Sequence, residues 1–143
     1  MRLDRSQDAS ERRRLETLVD RLSNSELATP LADGWTVAGV LAHLAFWDQR
    51  AAFVLGRWQH DGVGPSEADT DAINNAAKPQ WLAIPPRDAA ALAVAAARAA
   101  DAAVDAASPE LIDQIVSIGA PISLSRAEHR REHLDEIERA LRL

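Results

Sequence analysis

The chain is 143 residues long, alanine-rich, without cysteine or tyrosine, and carries a formal net charge of −6. That length can bury a core without covalent staples, and the missing thiols exclude disulfides, thiolate metal ligation and cysteine nucleophiles, so any metal must be held by His, Asp, Glu or water. A negative body with acids and bases intermixed disfavours nucleic-acid binding, and no apolar run approaches the length of a bilayer span; the expectations are no nucleic acid, no membrane and a cytoplasmic protein of one domain, residues 1–143.

β-Branched residues are scattered rather than alternating, which argues against sheets and for an all-α fold. In chain order, "SQDASERRRLETLVDRLSNSEL" offers Ser6, Asp8 and Ser10 as caps and places Leu15, Leu18, Val19 and Leu22 at helical spacing, a first helix ending near Ser23–Ser25. "ATPLADG" is a loop by its Pro and Asp-Gly punctuation. The strongest periodicity follows: with Thr36 as N-cap, Val37, Val40, Leu41, Leu44, Trp47, Ala51, Val54, Leu55 and Trp58 recur every three or four residues, until Gly62, Gly64 and Pro65 stop this second helix.

"SEADTDAINNAAKPQWLAIPP" has a cap-like Ser66 and a weakly helical middle, and is expected to hold a shorter helix broken or bent at Pro79 within a long crossover. From Pro86 to Ser108-Pro109 the alanine run is a third packed helix, because alanine is the best helix former and its small side chain lets neighbours approach closely. A short helical turn and a Gly-Ala-Pro break lead to a last helix, capped by Ser123 or Ser125, with Leu124, Ala127, Leu134, Ile137 and Leu141 as its buried stripe. Four main helices of bundle length result.

The four histidines are His43, His60, His129 and His133. "HRREH" reads as the inverted zinc-peptidase signature H-x-x-E-H, but that enzyme needs a further ligand well downstream and a large clamshell, and ten residues follow His133. At about 100° per residue, His129 and His133 project from one side of the last helix, roughly 40° apart, close enough to share an ion. His43, in "VLAHLAFW", shares its face with Val40 and Trp47 and so points toward apolar company. Three imidazoles from two helices form an open-sided donor set of catalytic type, suited to Zn, Ni, Fe or Cu, whereas the blander alternatives are a hydrogen-bonded core histidine and a chance helix-face pair. His60, beside Asp61-Gly62 at a helix end, is given no role.

"GWTVAGVLAHLAFWDQRAAF" resembles the second-helix signature of the DinB-like four-helix bundles, and "HRREHLDEIERAL" is similar to the last-helix pattern of that superfamily. "TDAINNAAKPQWLAIPPRDAAALAVAAARAA" resembles the crossover and third helix of the branch containing mycothiol-dependent maleylpyruvate isomerase amino-terminal domains. The resemblance runs from about Leu15 to Leu143. It implies an up-down-down-up four-helix bundle with a long crossover between helices two and three, and a metal triad on His43, His129 and His133. It supplies function only loosely, as thiol-cofactor-dependent isomerases, S-transferases and resistance proteins share the fold.

Other side chains carry paired readings. Glu132 beside His133 suits a proton shuttle or ligand orienter, but reads more readily as a solvated acid pairing with Arg residues a turn away. Arg126 and Arg130 lie near the histidine side and suit an anionic substrate, but read more readily as surface charge. Trp47 is a pocket wall or core filler, Asn74 faces a pocket or caps a turn, and Asp48 is expected to face solvent. The leading expectation is a metal-dependent thiol transferase, isomerase or hydrolase that acts on a small electrophilic metabolite, with a divalent metal (Zn, Ni or Fe) and a low-molecular-weight thiol as cofactors. The alternative is a non-catalytic small-molecule-binding or stress-protection bundle without metal. A homodimer through an alanine-rich or apolar helix face is left open.

Overall fold

The structure, a computed structural model, describes residues 3–143. They form α1 (Ser6–Arg21), α2 (Asn24–Leu27), a 3-10 turn (Ala32–Gly34), α3 (Val37–Asp61), α4 (Thr70–Ala83), α5 (Pro86–Ala106), α6 (Pro109–Ser117) and α7 (Ala127–Leu141). Apart from a lone antiparallel bridge between Pro30 and Thr36, no β pairing occurs among the described residues, so the fold is all-α. The four main helices expected from the sequence are α1, α3, α5 and α7.

Several local expectations change. None of Ser6, Asp8 and Ser10 caps α1; Asp4 accepts from the Ser6 N–H just outside it, and Asp8 is buried for another purpose. Helix α1 ends at Arg21, short of the expected Ser23–Ser25, and a separate turn, α2, precedes the expected loop, fixed by a reciprocal capping box between Ser23 and Glu26. Thr36 caps α3 as expected, its hydroxyl accepting from Gly39 N–H. The cap of α4 is Asp69 rather than Ser66. Helix α4 also runs unbroken through Pro79; the carbonyl deprived of its N–H partner belongs to Asn75, which is exposed like Pro79, so water can serve it. Neither Ser123 nor Ser125 caps α7. The N–H of the residue just before it is met from α1, where Asp8 Oδ1 accepts from the Arg126 N–H at 2.8 Å, a carboxylate supplied to the start of α7 across 118 positions of sequence.

Helix α5 packs most extensively on α3, α1 packs on α5 and α7, and α4 lies on α3. Ala89, Ala90, Ala93, Ala96, Ala97 and Ala100 are all buried, and their small side chains let α5 sit close to α3. Two apolar clusters result. One gathers Leu15, Leu18, Leu41, Leu44, Trp81, Leu134 and Ile137; the other gathers Val54, Leu55, Trp58, Val104, Leu111 and Ile115. Each fully buried residue of this size contributes about 1.5–3 kcal/mol. In α3, in α5 and at the start of α7, buried charges stand where one cluster gives way to the other: Asp48, Asp101, and Arg126 with Arg130.

Candidate metal centre

Capping by Thr36 fixes where α3 begins, and His43 falls two turns in, on the face that meets the core; it is 8% exposed. His129 and His133 occupy successive turns of α7 and are half-buried. The structure brings all three together. Each offers a ring nitrogen within 4.8 Å of the others, an arrangement that could hold a metal ion, and Nε2 of His43 lies 3.0 Å from Nε2 of His129. Every pair of rings has centroids 4.9 Å apart at steep angles of 76–81°, so the rings converge edge-on rather than stack. Two imidazole nitrogens on one tetrahedral zinc would be about 3.3 Å apart, close to the spacing found.

Burial, and then the neighbouring His133, push the His43 pKa down to about 4. His129 falls to about 3, first through burial, then through His133 and His43, with Arg126 and Arg130 adding to the effect. Both rings are therefore neutral at pH 7, the state in which imidazole donates a lone pair to a cation. The outer contacts are unequal. His133 Nδ1 sits 3.3 Å from Glu136 Oε2, which leaves its Nε2 for the centre of the cluster, whereas His43 Nδ1 is buried with no hydrogen-bond partner. Trp35 and Trp81 meet the His43 ring edge-on at 5.8 and 5.2 Å, and Trp35 stacks on Trp81, which walls the ring on its apolar side. His60 is exposed beside Asp61 and away from this cluster, as expected.

The three histidines line an open cavity of about 1070 Å³, whose wall also includes Trp35, Trp47, Asn74, Arg126 and Glu132. Trp47 is half-buried, a cavity wall rather than core filler, while Trp58 fills the core. Its Nε1–H donates to Asn74 Oδ1 at 2.8 Å, so Asn74 faces the cavity from within α4 instead of capping a turn. Glu132 is exposed at the rim and makes no ion pair among the described residues.

The arginines and Asp48 correct the sequence reading. Asp48 is buried, not solvent-facing; its Oδ1 accepts from Arg126 Nε at 2.8 Å and its Oδ2 from Arg130 at 3.3 Å. Arg130 does not line the cavity at all. It is fully buried, donating to Asp101 at 2.9 and 3.0 Å and to the carbonyls of Asp8 and Ala97, because a guanidinium taken from water needs all its donors met. Arg126 reaches the cavity wall but is not surface charge, being clamped to Asp48.

Trp35, Trp81, Glu136 and Arg50 also escaped the sequence reading. Arg50 lines the cavity, donating to the Ser66 carbonyl and hydroxyl at 2.8 Å. Trp35 and Trp81 lie in a loop and a crossover helix whose docking no local periodicity reveals. Glu136 had a signal, a carboxylate three residues after a candidate ligand on the same helix face.

A family model described as the mycothiol maleylpyruvate isomerase N-terminal domain matches residues 9–138. Comparison with curated proteins and with solved structures returned no match.

Proposed function

The chain belongs to the mycothiol maleylpyruvate isomerase N-terminal domain family, and on that premise we propose that it holds one divalent metal ion, Zn, Ni or Fe, through His43, His129 and His133. The single observation that carries this reading is the convergence of three ring nitrogens, two of them on rings kept neutral by burial, on the wall of an open cavity. The reading includes one domain with an up-down-down-up DinB-like bundle of α1, α3, α5 and α7, the crossover carrying α4. A divalent ion with open coordination positions supplies Lewis acidity, lowering the pKa of a thiol or water so that it is nucleophilic near neutral pH.

The chain's own residues complete the site. His43 and His129 hold their rings unprotonated, and Glu136 keeps the His133 ring turned with Nε2 inward. Glu132, exposed at the rim one residue from His133, takes the role of proton acceptor for the incoming nucleophile. Trp47, held by Asn74, walls the substrate space, and Arg126 lends positive charge to it. The substrate class is a small electrophilic metabolite and the co-substrate a low-molecular-weight thiol. The setting is cytoplasmic, with a homodimer as the assembly; no helix among the described residues is long and apolar enough to cross a membrane.

A cavity of this size with aromatic walls also suits a second reading, a non-catalytic bundle that sequesters a small molecule, with the histidines as polar lining. Elemental analysis of untagged protein separates the two. One metal per chain in the wild type and none in a folded His129→Ala variant is the expected result; metal retained at full occupancy in the variant overturns the three-histidine assignment, and metal absent from both after reconstitution favours the second reading.

A further inference from the structure

Helix α7 packs chiefly on α1 and only slightly on α3, yet the histidine cluster requires α7 to present His129 to His43 on α3. Besides the histidines themselves, the polar links between these two helical segments among the described residues are the ion pairs of Asp48. Asp48 lies five positions after His43, and its partners Arg126 and Arg130 flank His129 at three positions before and one after. Both carboxylate oxygens are used, one for each arginine, and the side chain is 4% exposed. A single buried anion thus spans the gap between the ligand-bearing helices within two turns of the ligands.

We propose that Asp48 is a positioning residue for the three-histidine centre, its carboxylate fixing α7 against α3 through Arg126 and Arg130 so that His129 meets His43. The inference rests on the metal reading of that centre. A purely architectural role explains less of what is seen. Arg130 already has Asp101 and two backbone carbonyls, so its charge is met without Asp48, whereas Arg126 pairs with Asp48 and otherwise donates to the Ser123 carbonyl at 3.3 Å. Asp48 is what ties them to α3.

The experiment is a competition titration with zinc, and the absorption spectrum with cobalt, on untagged wild type, Asp48→Asn and Arg126→Lys, with urea unfolding of the metal-free proteins alongside. Asp48→Asn, which reaches the ligands only through the placement of α7, is expected to weaken zinc binding by about 3- to 10-fold, below the range for a group bonded directly to a ligand, and to alter the cobalt bands. Arg126→Lys keeps the charge but loses the planar fork, so it is expected to weaken binding several-fold and to perturb the same bands. It also keeps the test decisive should Asp48→Asn fail to fold. Variants that unfold more easily but, while folded, bind zinc and colour cobalt as the wild type does would overturn the positioning role and leave the metal reading intact. A wild type that binds neither ion would overturn both.

Discussion

Two buried polar clusters lie side by side, both anchored on α3 and α7, and they are resolved in opposite ways. Asp48, Asp101, Asp8, Arg126 and Arg130, joined by Arg5 and Arg12 at the edge, pair acid with base. Burial pulls the Arg130 pKa down, and Asp101 and Asp48 more than restore it, so the guanidinium stays charged. One residue away on α7, His129 joins His43 and His133 in a group of three bases whose one acidic partner among the described residues is Glu136, beside His133, and in which His43 Nδ1 has no partner among them. The first cluster has satisfied itself from within, and the second has lone pairs to spare. A buried polar group that is fully met holds a fold together; one left short is a place where a ligand gains. Trp58 Nε1 is also buried without a partner, but it stands alone in an apolar cluster, with no second donor or acceptor to build a site.

The comparison breaks most decisively at Arg130. Truncation in Arg130→Ala removes the cation that Asp48 and Asp101 share, leaving Asp48 to Arg126 and Asp101 to Arg12, and empties the space of a fully buried side chain; the two losses together are expected to cost about 3–5 kcal/mol of folding stability, read as a lower urea midpoint. Such a change would rank among the most damaging single substitutions in the chain. A loss under about 1 kcal/mol would mean that the network is hydrated and that its apparent closure is not architectural.

The sequence carried these two clusters unequally. The histidines were legible because His129 and His133 stand one turn apart and His43 shares a face with apolar neighbours, both local signals. The network is not legible in the same way because the two pairs of Asp48 lie 78 and 82 positions apart, and composition marks Asp and Arg as surface residues. Its phase was nevertheless available. Asp48 continues the buried series Leu41, Leu44, Ala51, Leu55, Trp58, and Arg130 falls between Ala127 and Leu134 on the buried face of α7. A charge in phase with a core stripe needs a buried partner on another helix, and an acid on α3 with a base on α7 would have named each other. The major helices were visible from periodicity and punctuation. The carboxylate at the start of α7 was not, because Asp8 comes from α1, and such a tertiary contact leaves no local motif.

Acidification sharpens the contrast on a smaller scale. The folded-state pKa values of His43 and His129, about 4 and about 3, lie below the ordinary 6.5, so the unfolded chain takes up protons first as pH falls. Their contribution to stability is complete above pH 6.5 and is lost progressively below it, until about pH 4 for His43 and about pH 3 for His129. Metal-free protein is therefore expected to lose stability between pH 6.5 and 5, before most carboxylates titrate, in urea unfolding followed by circular dichroism. A flat profile across that window would show that the two rings are more hydrated than their burial implies. Saturating zinc at pH 7.5 adds stability by mass action, about 2.7 kcal/mol at a hundred times the dissociation constant.

The smallest effect is the most telling in sign. His43→Leu replaces a buried ring by an apolar side chain of comparable reach between Trp35 and Trp81, and removes the orphaned Nδ1. Leaving a buried polar atom unmet costs about 1–3 kcal/mol, against which stand the lost edge contacts and the lost Nε2 pairing with His129. His129 faces the open cavity and can turn to water, so the balance favours the leucine by roughly 1 kcal/mol in metal-free protein, with stoichiometric metal binding abolished. Stability gained as binding is lost is the mark of a residue kept for its chemistry, the opposite of what Arg130 should show. If His43→Leu instead destabilises the metal-free protein by more than about 1 kcal/mol, His43 is a structural residue that happens to face two others, and the difference between the two clusters disappears.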